Sequence, residues 1–189
     1  VGSGISGGWA AKELTEHGLK TLLVERGRNV EHIKDYTGTE KNPWDLPHRG
    51  QETQKDYTDS PIQSECYAYD EVSKHFFVND REHPYNQVKP FKWIRGYQVG
   101  GRSLLWGRQC YRWSDLDFEA NARDGYGVDW PIRYKDIAPW YSYVERFAGI
   151  CGNKDGLETM PDGDYLPPFA FNCVEKDLQQ KIRSKYKNR

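Results

Sequence analysis

The chain is short of net charge, of long apolar runs and of paired cysteines, and each shortage removes a class of protein. With 27 basic and 28 acidic side chains among 189 residues, the formal net charge is −1. Nothing in that balance favours nonspecific binding to a phosphate backbone, so no nucleic-acid partner is expected. The longest aliphatic run is Leu22-Leu23-Val24, far below the ~20 residues that a bilayer-spanning helix needs, and no membrane span is expected. Cys66, Cys110, Cys151 and Cys173 are separated by 44, 41 and 22 residues, which suits neither a zinc pair nor a redox CxxC. They read as isolated buried or half-buried thiols and leave the redox compartment open. Apolar residues are also scarce: counted with glycine and without tyrosine they make ~40%, against ~45–50% in ordinary domains. Seven Trp, 13 Tyr and seven Phe offset this with large buried area per side chain, which argues against disorder.

The sequence opens on Val1 rather than Met and closes within the charged stretch Lys187-Asn188-Arg189. It reads as a portion of a longer protein whose targeting signal, and hence compartment, is not legible.

The first 28 residues are the most ordered. Gly2, Gly4 and Gly7 occupy the three places of G-x-G-x-x-G, the turn whose bare backbone lets a dinucleotide's pyrophosphate approach a helix N-terminus. Ser6 stands in the first helical turn. Gly7, Ala10, Ala11 and Leu14 follow at helical spacing up to Gly18, giving a small-faced helix. Thr21-Leu22-Leu23-Val24 then reads as a strand buried in a parallel sheet, closed by Glu25-Arg26-Gly27. The strand expected before the turn is represented only by Val1. Glu25 lies 23 residues after Gly2, near the offset of an acid that binds an adenosine ribose, and it argues against a 2′-phosphate, although Arg26 blunts that argument.

Residues 29–92 mix charged, aromatic and proline residues without a sustained period and read as a polar insertion over the site. His75-Phe76-Phe77-Val78 is the best strand candidate there and Ser64–Tyr69 a weaker one. Later, Pro139 suits a helix's first position, with Trp140, Tyr141, Val144, Phe147 and Ala148 following before Gly149. That places a helix at 139–148 with Trp140 and Tyr141 on its buried side. Val174, Leu178 and Ile182 mark a last helix carrying Lys181, Arg183, Lys185 and Lys187. The acidic stretches 52–59 and 115–129 read as solvated loops.

Together, GSGISGG, LLVERG, RGYQVGGRSLLWGRQCYR and DWPIRYKDIAPWYSYVERF resemble the glucose-methanol-choline (GMC) oxidoreductases, over about residues 1 to 149. The resemblance implies an α/β fold: a Rossmann-like FAD-binding domain truncated at both ends, with the first strand and the C-terminal substrate and catalytic part missing, so that the chain alone would be inactive. It implies FAD as cofactor and a small alcohol or sugar as substrate, with the electron acceptor left open. By match, Gly100, Gly101 and Ser103 would pack against the flavin's pyrophosphate and ring, with Trp106 and Gly107 beside them. Many members have Asn where this chain has Trp106. Relatives that hold flavin covalently have His where this chain has Leu105, so noncovalent FAD is expected at that position.

The resemblance also implies a base, a His paired with a second His or an Asn, lying beyond residue 189. His17, His32, His48, His75 and His83 match no such motif and are assigned no catalytic role. No spacing of a metal site is present. Two alternatives stand beside this reading: an NAD-dependent dehydrogenase, which lacks a use for the second glycine block, and a noncatalytic carbohydrate-binding module, which would use Trp93, Trp106, Tyr111 and Trp113 but lacks a use for the glycine turn.

Overall fold

A computed structural model of the chain describes residues 2–186. Val1, expected as the end of a first strand, and Lys187, Asn188 and Arg189 lie outside them. The chain divides into two compact units, Val1–Arg108 and Gln109–Arg189.

In the first unit, helix α1 spans Ile5–Glu16. It stops where the sequence places its end: Gly18 turns left-handed at φ +78°, and the Gly18 and Leu19 amides bond back to the Thr15 and Leu14 carbonyls at 2.9 Å each, a glycine-terminated cap. The rest of the unit is held by short 3-10 turns, by helix α2 (Gln54–Asp59) and by extended segments.

The sheet of the expected α/β, Rossmann-like domain is absent among the described residues. Among the described residues, strand pairing amounts to three isolated bridges, Arg28 with Gln98, Cys151 with Leu166 and Leu157 with Met160. Thr21–Val24 is irregular rather than a strand, with Leu22 85% exposed and Val24 61% exposed. An apolar run becomes a strand only where partners satisfy its amides and carbonyls, and no ladder is offered here. The small face of α1 correspondingly lies against no sheet, Leu14 being 42% exposed and no residue of the helix buried. The expected strand at 75–78 is instead a 3-10 turn over Lys74–Phe76, and 64–69 holds another over Gln63–Glu65.

Burial in this unit is led by polar side chains. Tyr69, Phe76 and Val78 are its buried apolar residues, beside buried Gln63, Arg95 and Gln98. Gln63 donates to the Val78 carbonyl at 2.8 Å, and the Val78 amide donates to the Arg95 carbonyl at 2.9 Å, bonds that offset the desolvation of these groups, while Arg95 Nε is buried without a partner.

The second unit contains α3 (Asp115–Phe118), α4 (Ala120–Asp124), α5 (Tyr134–Ala148) and α6 (Cys173–Lys185). The acidic stretch at 115–129 is thus partly helical, because Ser114 and Asp117 cap α3 reciprocally and Phe118, 2% exposed, anchors it. Helix α5 starts five residues before Pro139. Asp136 accepts from the Arg133 amide at 2.8 Å and Asp115 from the Tyr134 amide at 2.7 Å, satisfying end-group donors that Pro139 lacks the position to satisfy. Its covered side is polar: Glu145 is buried, whereas Trp140 and Phe147 are each 62% exposed. Arg112 grips Glu145 with two hydrogen bonds, 2.8 Å to Oε1 and 2.6 Å to Oε2. It also donates to the Tyr134 hydroxyl and to Ser142 Oγ, each at 2.9 Å.

Candidate functional site

The glycine turn and the second glycine block, far apart in sequence, meet in the first unit. Ser3 joins them. Its hydroxyl donates to Glu25 Oε2 at 2.6 Å and accepts from the Gly100 amide at 3.0 Å, while its own amide donates to the same carboxylate oxygen at 2.7 Å. Glu25 Oε1 accepts from the Gly27 amide at 2.9 Å. The Ser3 hydroxyl, then the Ser3 and Gly27 amides, hold the Glu25 carboxyl at about 2 against its ordinary 4.5, outweighing desolvation.

Bare backbone makes this meeting possible. Gly100 and Gly101 have φ +89° and +57°, the left-handed region where a Cβ is costly. A Cβ on Gly101 would stand 3.3 Å from Gly4 Cα. Behind the turn, a Cβ on Gly27 would fall 2.2 Å from the Tyr97 carbonyl carbon, and the Val99 amide donates to the Arg28 carbonyl at 2.9 Å.

In front of the junction lies a cleft of about 610 Å³, lined by Gly2, Gly4, Ser6 and Gly7 on one side and by Ser103, Leu105 and Trp106 on another, a size in the range of cofactor sites. Ile5, Arg102, Cys66, Tyr67 and Ala68 complete the lining. No acidic residue is among them. Helix α1 points its N-terminus here with Gly4 as N-cap, no side chain capping it and no acid in its first turn. The first-turn amides and the positive end of the helix dipole suit an anion. A Cβ on Gly4 would meet nothing within 4 Å, so the space its absence leaves is open.

The expected site residues therefore take three positions. Gly2, Gly4, Ser6, Gly7, Ser103 and Trp106 line the cleft. Glu25, Gly100 and Gly101 form the junction behind it. Arg26 stacks its guanidinium 3.7 Å from the Tyr97 ring centroid, and Gly107 has Tyr67 Oη 4.0 Å from where its Cβ would be. Sequence reasoning missed Ser3, whose only mark is its place between the first two glycines, and Arg102, which sits inside the second block. Nothing in the sequence marks Cys66 or Tyr67.

None of the five histidines lines the cleft, and among the described residues no cluster of His, Cys, Asp and Glu could hold a metal ion. No helix of the described residues is long and apolar enough to cross a membrane.

No protein-family model matches the chain. Curated proteins do. The chain is 26% identical over 155 residues to 6'''-hydroxyparomomycin C oxidase of Streptomyces lividus, covering 80% of this chain and 22% of that protein. It is 24% identical over 173 residues to paromamine 6'-oxidase of Streptomyces fradiae, covering 90% and 26%. To the fructose dehydrogenase large subunit of Gluconobacter japonicus it is 26% identical over 175 residues, covering 90% and 28%. The chain spans about a quarter of the length of these relatives, and what it is similar to is a set of oxidases and dehydrogenases.

Proposed function

We propose that the chain is the FAD-binding part of an oxidoreductase that oxidises a CH–OH group of an alcohol or sugar. The observation that carries this reading is the Ser3 hydroxyl, which ties the glycine turn to the second glycine block and leaves an acid-free cleft at an uncapped helix N-terminus. The relatives support the reaction class, since their names are those of oxidases and dehydrogenases, one of them acting on fructose.

The cofactor's diphosphate would be held by the first-turn amides of α1, with Arg102 and Ser103 adding charge and a hydroxyl. Glu25 holds the turn in place, and the spare lone pair on its Oε1 is the acceptor for a ribose hydroxyl. Trp106 would cover the ring system. Leu105 lines the cleft with no nucleophile, so the cofactor is held noncovalently at that position. When bound, flavin supplies the hydride acceptor for the substrate carbon. This chain's residues bind and orient, and none of them is assigned the base.

The test is Gly4→Leu in the full-length protein. Gly4 has φ −66° and open space at its Cβ position, so the fold accepts a side chain there. The flavin Kd should rise at least about tenfold, ~1.4 kcal/mol, seen as less flavin absorbance per protein, while the unfolding free energy of flavin-free protein stays within ~1 kcal/mol of wild type. Unchanged flavin occupancy would overturn the reading.

A further inference from the structure

The second unit contains a cavity of about 170 Å³ that the proposed function does not use, and two of the four cysteines line it, Cys110 and Cys151. Both segments are brought to this place by one residue, Glu145. Two residues after Cys110, Arg112 grips the Glu145 carboxylate. One residue before Cys151, the Ile150 amide donates to the Glu145 carbonyl at 3.0 Å.

The Cys151 end is further fixed by the left-handed Gly149 at φ +69°, by the Leu166 amide donating to the Ile150 carbonyl at 2.7 Å and by the Gly152 amide donating to the Leu166 carbonyl at 3.1 Å. The two cysteines are not bridged to each other, and Cys110 is half-buried and Cys151 exposed. The Cys151 thiol donates only a long 3.7 Å contact to the Gly149 carbonyl, leaving it able to rotate into the cavity.

We infer that Cys110 and Cys151 are a redox pair that closes to a disulfide when a peroxide reaches the exposed Cys151. Burial, with the Glu145 charge, pushes the Cys110 thiol up, so it is the poorer first nucleophile and the natural resolving partner. In the first step the Cys151 sulfur, as thiolate, attacks a peroxide oxygen. The O–O bond breaks, Cys151 becomes a sulfenic acid and, for hydrogen peroxide, the departing hydroxide leaves as water with the proton that the Cys151 thiol gave up. In the second step the Cys110 sulfur attacks the Cys151 sulfur, the S–O bond breaks, and the Cys110 proton leaves with the hydroxyl as a second water. Two thiols lose two electrons and one peroxide gains them. The product pins the segment before Arg112 to the turn after α5.

The test is nonreducing peptide mapping of the full-length protein after hydrogen peroxide, with remaining thiols alkylated. The expected result is a linked pair of peptides bearing Cys110 and Cys151, lighter by two hydrogens than their sum and separated again by dithiothreitol. Cys66 and Cys173 should stay alkylated. In Cys151→Ser, Cys110 should remain fully alkylatable after the same treatment, and in Cys110→Ser, Cys151 should accumulate as sulfenic or sulfinic acid. Separate alkylation of both cysteines in oxidised wild type, a bridge from either one to a different cysteine, or oxidation of Cys110 unaltered by Cys151→Ser would each overturn the inference.

Discussion

Helices α1 and α6 begin in opposite ways. At α6 the Asn172 side chain accepts from the Val174 and Glu175 amides at 2.9 Å each, and Glu175 accepts from the Asn172 amide at 2.7 Å, so the end is closed by its own residues. At α1 the N-cap is Gly4, with no side-chain cap and no first-turn acid. The same contrast separates two carboxylates. Glu145 is enclosed by a guanidinium that also satisfies Tyr134 and Ser142, whereas Glu25 is held by neutral donors and stands beside a cleft. Where polar capacity is consumed internally, the residues hold a unit together. Where it is left over at a bare backbone, the arrangement suits an external ligand.

The largest effect should come from opening the closed side. Glu145→Ala leaves Arg112, whose guanidinium pKa is raised chiefly by its hydrogen bond to Glu145, buried without its partner. Losing one member of a buried pair costs about 3–5 kcal/mol, to be read by urea unfolding. The pair replacement Arg112→Met with Glu145→Leu should recover most of that loss. A single substitution as mild as the double one would mean that Glu145 is no tie.

Next comes the charge on the open side. The folded Glu25 pKa, about 2, lies below its ordinary 4.5. The ionised form therefore favours the folded state above pH ~4.5, and that contribution is lost as pH falls toward about 2. Wild type should exceed Glu25→Gln in stability at neutral pH, with the gap closing across that window. Asp56, also held at about 2, chiefly by the Thr53 hydroxyl, titrates in both proteins and cancels in the difference. A gap independent of pH would show that the turn does not depend on the carboxylate's charge.

A smaller change sharpens the contrast at the helix ends. Gly4→Asp gives α1 the cap that it lacks. On the proposed function, flavin binding by the full-length protein should weaken at least about tenfold, ~1.4 kcal/mol, because an acid would compete with the diphosphate, while flavin-free protein gains about 0.5 kcal/mol from the cap and dipole. Loss of flavin together with a gain in stability separates ligand competition from misfolding.

Legibility followed the range of the signal. The glycine turn, α1 with its stop at Gly18, and the apolar spacing of α6 are local patterns, and the sequence showed them. The resemblance implies a sheet and Thr21–Val24 reads as one of its strands, but a strand is defined by its partners, and a four-residue run does not say whether it has any. Pro139 and the apolar spacing after it place a helix start at 139, whereas the Asp136 acceptor three residues after Arg133 marks the observed start at Tyr134. Trp140 was placed inside because it is large and apolar, whereas α5 covers Glu145. Ser3 belongs to no local pattern of this kind, because its role depends on Gly100, 97 residues away.

The smallest effect is expected at the closed helix end. Asn172→Ala removes the acceptor of two amide hydrogen bonds, and since α6 buries no residue, little packing compensates. Caps of this kind are worth about 1 kcal/mol, so the loss should be confined to α6, seen as faster amide exchange in its first turn with flavin binding unaltered. Together with Gly4→Asp this makes a reciprocal pair: a cap removed from α6 should cost stability and spare the ligand, a cap added to α1 should do the reverse. If Asn172→Ala also reduced flavin occupancy, the two helix ends would not be independent, and the division of labour between them would fail.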